Sequence, residues 1–188
     1  MTHPGPLVEL LEADRAPLLA RRFYGDGPAS PITASLAQVP ELIDVALPFI
    51  GAALGPGALD ARSKEIAILR TSALLECRYC VRSHTVVALD VGLSVEEVCA
   101  LRGEGPLVAA FDDDRERTMI EWIDAVAVGR GSVDTGLQAR AADAFADHEL
   151  VELTLTITAT LMLNRYCTAL DLPTSPDTEA RLTREGLG

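Results

Sequence analysis

The chain has 188 residues, a single-domain length, and 48% of them are apolar, enough for a real core. Aromatic residues make up only 4%, so that core must come from Ala, Leu, Val and Ile, a mix that favours helices over a sandwich or barrel. The 28 acidic residues outnumber the 16 basic ones, and a net charge of −12 with no basic run and no stacking series of aromatics argues against nucleic acid and anionic membrane as partners.

The first residues lack a basic region followed by a long apolar stretch, so no secretion leader is read there. Residues 7–13 and 18–24 can form short helices, and Gly25-Asp26-Gly27-Pro28 and Ser30-Pro31 mark loops. Residues 1–35 therefore read as an arm with short helices, laid over a core. From Pro40 the helical signals strengthen. Residues 41–54 carry a helical apolar pattern that ends at Gly55-Pro56-Gly57. Asp60 is a good N-cap for a helix to about residue 75. Residues 80–90 read as a further helix closed by Gly92, and Ser94-Val95-Glu96-Glu97 is a capping box opening the next. Residues 112–128 carry a stripe of Met119, Ile120, Ile123, Val126 and Ala127, with Asp112-Asp113-Asp114 as a solvated cap and Trp122 as a packing anchor. Two more helices follow, 136–146 and 148–170. The main helical domain is 36–173, and 174–188 reads as a tail. No apolar run approaches the ~20 residues needed to span a bilayer, so a soluble, cytoplasmic protein without membrane contact is expected. In that compartment cysteines are more often catalytic or metal-binding than structural staples.

Residues 153–158 alternate Leu or Ile with Thr, which is a strand signal. An internal repeat argues for helix instead. Asp60, Glu65, Thr71, Leu74, Arg78, Tyr79 and Cys80 recur as Asp147, Glu152, Thr158, Leu161, Arg165, Tyr166 and Cys167. The expected architecture is all-α, two helical hairpins packed pseudo-symmetrically. The second copy has Asn164 and Asp171 where the first has Cys77 and His84, so only the first can be a complete site.

That site is Cys77-Arg78-Tyr79-Cys80 followed by His84. On a helix, Cys77, Cys80 and His84 fall within roughly 60° of arc, on one face. His84 is one turn beyond Cys80, where an imidazole can take the thiol proton or stabilise the thiolate, the nucleophilic form. A position in the first helical turn would favour the thiolate further. Cys77 is near enough to close a disulfide with Cys80 once one of them is oxidised. Two blander readings compete: buried core cysteines with a satisfied histidine, and a zinc site in which Glu65 or Cys99 completes four ligands. Three ligands within eight residues of one helix face converge poorly on a tetrahedron. Glu65 needs a reversal of the chain near residues 75–78, because twelve residues of continuous helix would hold it about 18 Å from Cys77. Otherwise it is an ordinary first-turn glutamate. Cys99 and Cys167 read as core, His148 as surface, and His3 as part of a terminal tail.

The spacing Glu65, Cys77-x-x-Cys80, His84 resembles the signature of the carboxymuconolactone decarboxylase / alkylhydroperoxidase D (AhpD) superfamily. Leu59-Asp60-Ala61-Arg62, the stretch from Ala88 to Gly92, Val39-Pro40-Glu41-Leu42 and Leu161-Met162-Leu163-Asn164-Arg165 are similar to the segments that frame it. The resemblance implies an AhpD-like helical fold, a homo-oligomer (a trimer or a multiple of trimers), and peroxidase or disulfide-reductase activity with no metal and no cofactor. It makes Cys80 the peroxidatic thiol, Cys77 the resolving one, and His84 a base relayed to Glu65. The substrate would be a hydroperoxide and the reductant a dithiol or a protein disulfide reductant. Tyr79 departs from the pattern, standing where AhpD proper has a second histidine; a phenol of pKa about 10 is no base near neutral pH, but it can donate a hydrogen bond. Two other classes remain alternatives: a lyase acting on a small carboxylated lactone, with His84 as acid and base, and a non-enzymatic zinc-stabilised module. An oligomer is expected for a second reason, because the helices 60–75 and 148–170 are apolar around much of their circumference and the arm is suited to reaching across a neighbour.

Overall fold

A computed structural model describes residues 5–188; His3 lies outside the described residues. Among these the chain forms eleven helices and no strand. Four short or peripheral ones are α1 (Leu18–Arg21), α2 (Pro31–Leu36), α6 (Val95–Leu101) and α7 (Leu107–Ala110). The body is built from α3 (Pro40–Leu54), α4 (Ala61–Leu74), α5 (Arg78–Asp90), α8 (Asp114–Val128), α9 (Thr135–Ala144), α10 (Asp147–Ala169) and α11 (Pro176–Glu185).

Local chemistry sets most of the starts. Asp60 accepts from the Ser63 amide to open α4, Ser94 and Glu97 close a reciprocal capping box on α6, and Asp113 accepts from Glu116 to open α8. The period-two Leu-Thr stretch lies inside α10. Its hydroxyls turn back onto the helix: Thr156 donates to the Glu152 carbonyl and Thr160 to the Thr156 carbonyl.

The central element is α4. Its Ser63, Lys64, Glu65, Ile66, Ala67, Ile68, Leu69, Thr71 and Ser72 are all buried within the single chain, beneath α5, α8 and α10. Ile66 and Leu69 join Ile123, Leu153 and Ile157 in the main core. Ion pairs pin the same helix: Arg70 is bidentate to Asp124 of α8 at 2.7 and 2.8 Å, and Arg62 bridges Glu97 and Glu116. Lys64, 2% exposed, donates to the Ala53 carbonyl at 2.8 Å and to Thr156 Oγ1 at 3.0 Å, and pairs with Glu152 at 2.7 Å. Glu152 also accepts from the Ala58 amide at 2.6 Å. Burial alone would raise its carboxyl, but Lys64 and the backbone donors together hold it below the ordinary glutamate value. A Cβ at Gly57 would lie 2.0 Å from Glu152 Oε1, so any other residue there would push the carboxylate out of this position.

Several expectations change. Residues 7–13 form no helix; they run irregularly along the chain's own surface, with Leu7 N–H donating to the Leu170 carbonyl and Leu11 N–H to the Ala34 carbonyl. The arm thus packs on its own protomer, where Leu11, Ala16 and Ala20 cluster with Ile43 of α3. The second short helix stops at Arg21. Ser30-Pro31 is a helix start, because the Ser30 hydroxyl caps Thr33 and Pro31 presets the first-turn φ. Residues 174–188, read as a tail, carry α11, whose Leu182 is buried in the main core and which packs on α5. The helix α4 needs no neighbour to cover it; the apolar side chains left exposed are Leu42, Val45 and Phe49 on α3 and Val151, Leu155 and Met162 on α10.

The repeat takes an unexpected form. Both α4 and α10 end at a non-glycine residue in the left-handed region, Glu76 (φ 53°) and Asp171 (φ 51°). However, α10 has 23 residues against 14 in α4. Arg78-Tyr79-Cys80 therefore opens α5, whereas Arg165-Tyr166-Cys167 lies in the last turns of α10 before the chain turns.

Candidate active site

The chain reverses at Leu75-Glu76-Cys77, the place where Glu65 needed it to. Glu76 adopts the left-handed conformation and donates its N–H to the Ala73 carbonyl, and Cys77 N–H reaches the Ser72 carbonyl at 3.0 Å. The chain then enters α5 antiparallel to α4. Glu65, near the start of α4, thereby comes level with His84, in the second turn of α5. His84 Nδ1 lies 2.9 Å from Glu65 Oε2. A carboxylate only accepts, so the proton on this bond belongs to Nδ1, and in the neutral ring Nε2 keeps the free lone pair. Glu65, the fifth residue of α4, stands beyond its first turn, so it is no N-terminal helix glutamate, and its carboxylate faces His84 instead.

Cys77 is the N-cap of α5 and Cys80 its third residue. The two are joined as a disulfide with Cα atoms 5.3 Å apart, and the Cys80 amide points at Cys77 Sγ at 3.4 Å. Both are nearly buried, at 1% and 5% exposure, while the His84 side chain is 25% exposed. All four expected site residues thus converge on the α4–α5 hairpin. A thiolate at either cysteine would meet the unpaired amides of the first turn of α5.

Cys167, Tyr79 and Tyr166 complete the surroundings. Cys167 is buried in one cluster with Cys77 and Cys80, together with Leu172, Tyr79 and Tyr166. Burial pushes its thiol up to about 12. Burial also pushes the Tyr79 phenol up to about 12, assisted by Cys167 and opposed by a hydrogen bond with Ser83. Both groups are neutral at physiological pH, so Tyr79 supplies no base in place of a second histidine. Tyr166 reaches Ser35 of α2 at 2.9 Å and ties the arm to the back of the site. The intact Arg-Tyr-Cys repeat was the only sequence signal that could have drawn Cys167 here. Cys99, half-buried on α6, and His148, exposed on α10, lie outside the site.

One cavity touches Cys77 and another opens at Glu65. The first, about 330 Å³, is lined by Cys77, Tyr79 and Cys167, with Glu76, Arg78, Asp171 and Glu179 among its charged walls. The other, about 290 Å³, opens beside Glu65 and is walled by Leu54, Leu59, Val87 and Val91. Among the described residues no group of three or more His, Cys, Asp and Glu side chains converges in a way that could hold a metal ion. No described helix is long and apolar enough to cross a membrane.

Residues 40–125 match the family model of the carboxymuconolactone decarboxylase family, which bears out the resemblance drawn from the motif. No curated protein matches the sequence significantly. Among solved structures, a peroxidase-related protein with an alkylhydroperoxidase AhpD core from Ralstonia eutropha JMP134 is 17% identical, with a TM-score of 0.81, covering 94% of this chain and 96% of its own. A peroxidase-related protein from Silicibacter sp. TM1040 is 15% identical, also with a TM-score of 0.81, covering 94% and 95%. The debrominase Bmp8, solved with 2,3,4-tribromopyrrole, is 18% identical with a TM-score of 0.73, covering 96% and 98%. At such identities the likeness establishes the fold, an AhpD-like all-α architecture.

Proposed function

We propose that the chain is a thiol-dependent hydroperoxide reductase. The observation that carries this reading is a Cys77–Cys80 disulfide at the start of α5, with the Glu65–His84 pair one turn further on. In the reduced enzyme His84 takes the Cys80 proton through Nε2. The thiolate attacks the terminal oxygen of the hydroperoxide, the O–O bond breaks, and the alcohol leaves with a proton returned from His84. Cys80 is then a sulfenic acid. Cys77 attacks its sulfur, water leaves, and the disulfide closes. An external dithiol returns both thiols.

The test is steady-state hydroperoxide consumption with a dithiol donor. Wild type should turn over, Cys80→Ser should not, and Cys77→Ser should stall after one turnover. If wild type and Cys80→Ser consume peroxide equally, the reading fails. Because a structural relative is a debrominase, a halogenated pyrrole belongs in the substrate panel. A lyase acting on a carboxylated lactone would survive Cys77→Ser.

A further inference from the structure

The family match begins at residue 40, and the stretch before it reaches back over the cysteines. Cys77, Cys80, Cys167 and Leu172 form one buried cluster, and two side chains of that stretch pack on it, Leu10 and Ile32. Gly5 and Pro6 stand with Cys77 in the wall of the cavity of about 330 Å³. Residues 5–10 thus form one side of the space that reaches Cys77, and they are held lightly. Among the described residues their one backbone bond to the rest of the fold runs from Leu7 N–H to the Leu170 carbonyl at 2.9 Å. Gln38 adds a side-chain bond to the Glu9 carbonyl, also at 2.9 Å. Gly5, Pro6, Leu7 and Glu9 are exposed, and Val8 and Leu10 are only partly buried. Firm packing starts at Leu11, which clusters with Ala16, Ala20 and Ile43. A segment with so few buried contacts opens at far less cost than the helices beneath it.

We propose that residues 5–10 are a strap that sets the size of the thiol able to reduce the pair: a thiol of a few heavy atoms enters with the strap closed, and a bulky one reaches the disulfide only when the strap lifts. This rests on the disulfide cycle proposed above and sets a size limit on its second substrate. The cavity holds on the order of ten water volumes, room for a small thiol and none for a macrocycle. The Leu7 N–H is the latch, and Leu10 is the side chain that seats the strap on the cysteine cluster. The strap governs access and leaves the chemistry unchanged. One external thiolate attacks the disulfide, the S–S bond breaks, and one cysteine departs as thiolate with the electron pair. A second external thiolate attacks the outer sulfur of the mixed disulfide and frees the other cysteine. Two external thiols are thereby oxidised to their disulfide, and both cysteines are reduced and take protons from solvent.

The experiment oxidises full-length protein with diamide and follows its reduction by 2-mercaptoethanol and by a β-cyclodextrin bearing one thiol. Both reductants are uncharged apart from the sulfur, and rates are compared per thiolate. Wild type should react with the cyclodextrin thiol about tenfold more slowly, or slower still, because exchange depends on access to the sulfur. Leu7→Pro deletes the latch N–H and alters a side chain that is already 74% exposed. A net backbone hydrogen bond is worth about fivefold in an equilibrium, so Leu7→Pro should speed the cyclodextrin thiol about fivefold and leave 2-mercaptoethanol within about twofold. Leu7→Ala keeps the N–H and should match wild type with both thiols. Should Leu7→Pro not fold, Leu10→Ala takes its place with the same expectation. Equal rates for the two thiols on wild type, a gain in Leu7→Pro that is the same for both, or no gain with the cyclodextrin thiol would each overturn the proposal. Because diamide makes the disulfide, this size test stands even where peroxide fails to make it, and that failure would count against the peroxidase reading alone.

Discussion

The Glu65–His84 pair offers the sharpest quantitative prediction. Glu65→Gln keeps the shape of a nearly buried side chain and still offers an oxygen to Nδ1, so the fold should hold. What it removes is the negative charge 2.9 Å from the ring, which favours the imidazolium formed when His84 takes the Cys80 proton. Hydrogen bonds to charged groups contribute about 1.5–3 kcal/mol, against about 1 for a neutral one. The difference, about 1–2 kcal/mol, predicts a loss of about 5- to 30-fold in the rate at which peroxide oxidises Cys80. An amide can also flip and present its NH₂, which would force the wrong tautomer and deepen the loss. Stopped-flow oxidation of the reduced protein measures this, with the thermal midpoint as a control. A variant that matches wild type within about twofold, at unchanged stability, would make Glu65 a structural residue and nothing more.

Glu152→Ala should cost about 3–5 kcal/mol in urea unfolding, because it strands the Lys64 ammonium in the core; a loss below about 1 kcal/mol would show that Lys64 finds water instead. Since the folded Glu152 carboxyl lies below its ordinary value of 4.5, its contribution is complete above that value and disappears as pH falls through the folded one. Wild type should therefore lose stability on acidification more steeply than Glu152→Gln. Cys167, buried with its thiol pushed up to about 12, should resist iodoacetamide in the native reduced protein; rapid alkylation there would contradict the packing. The apolar faces left open on α3 and α10 lead us to propose a homo-oligomer, a trimer or a multiple of trimers. Light scattering should give a mass well above 20.0 kDa, and a particle of that mass would show that a lone chain tolerates those faces.

The helical body was legible because its signals are local. Caps such as Asp60 and Ser94, and apolar stripes at helical spacing, specify elements without tertiary help. The candidate trio was legible for the same reason: Cys77, Cys80 and His84 stand at the spacing of one helix face. Glu65 was not readable from spacing alone, since its approach depends on a single left-handed residue, Glu76, that no propensity marks. Residues 174–188 show no core signal in sequence because their only large apolar residues are Leu182 and Leu187, which become core only when α5 is there to receive them. Residues 7–13 looked helical by composition, yet their backbone bonds go to distant carbonyls instead. Cys167 illustrates the same limit: its nearness to Cys77 and Cys80 is a property of how α10 packs, and the sequence repeat aligned it with Cys80 for a different reason.

The central claim is that peroxide oxidises this one pair. Reduced full-length protein given a single equivalent of hydroperoxide, then alkylated and mapped by mass spectrometry, tests it directly. The account predicts a Cys77–Cys80 disulfide formed in near-stoichiometric yield, with Cys99 and Cys167 still thiols. Peroxide left unconsumed, or oxidation that falls on Cys99 while Cys77 and Cys80 remain free, would contradict it.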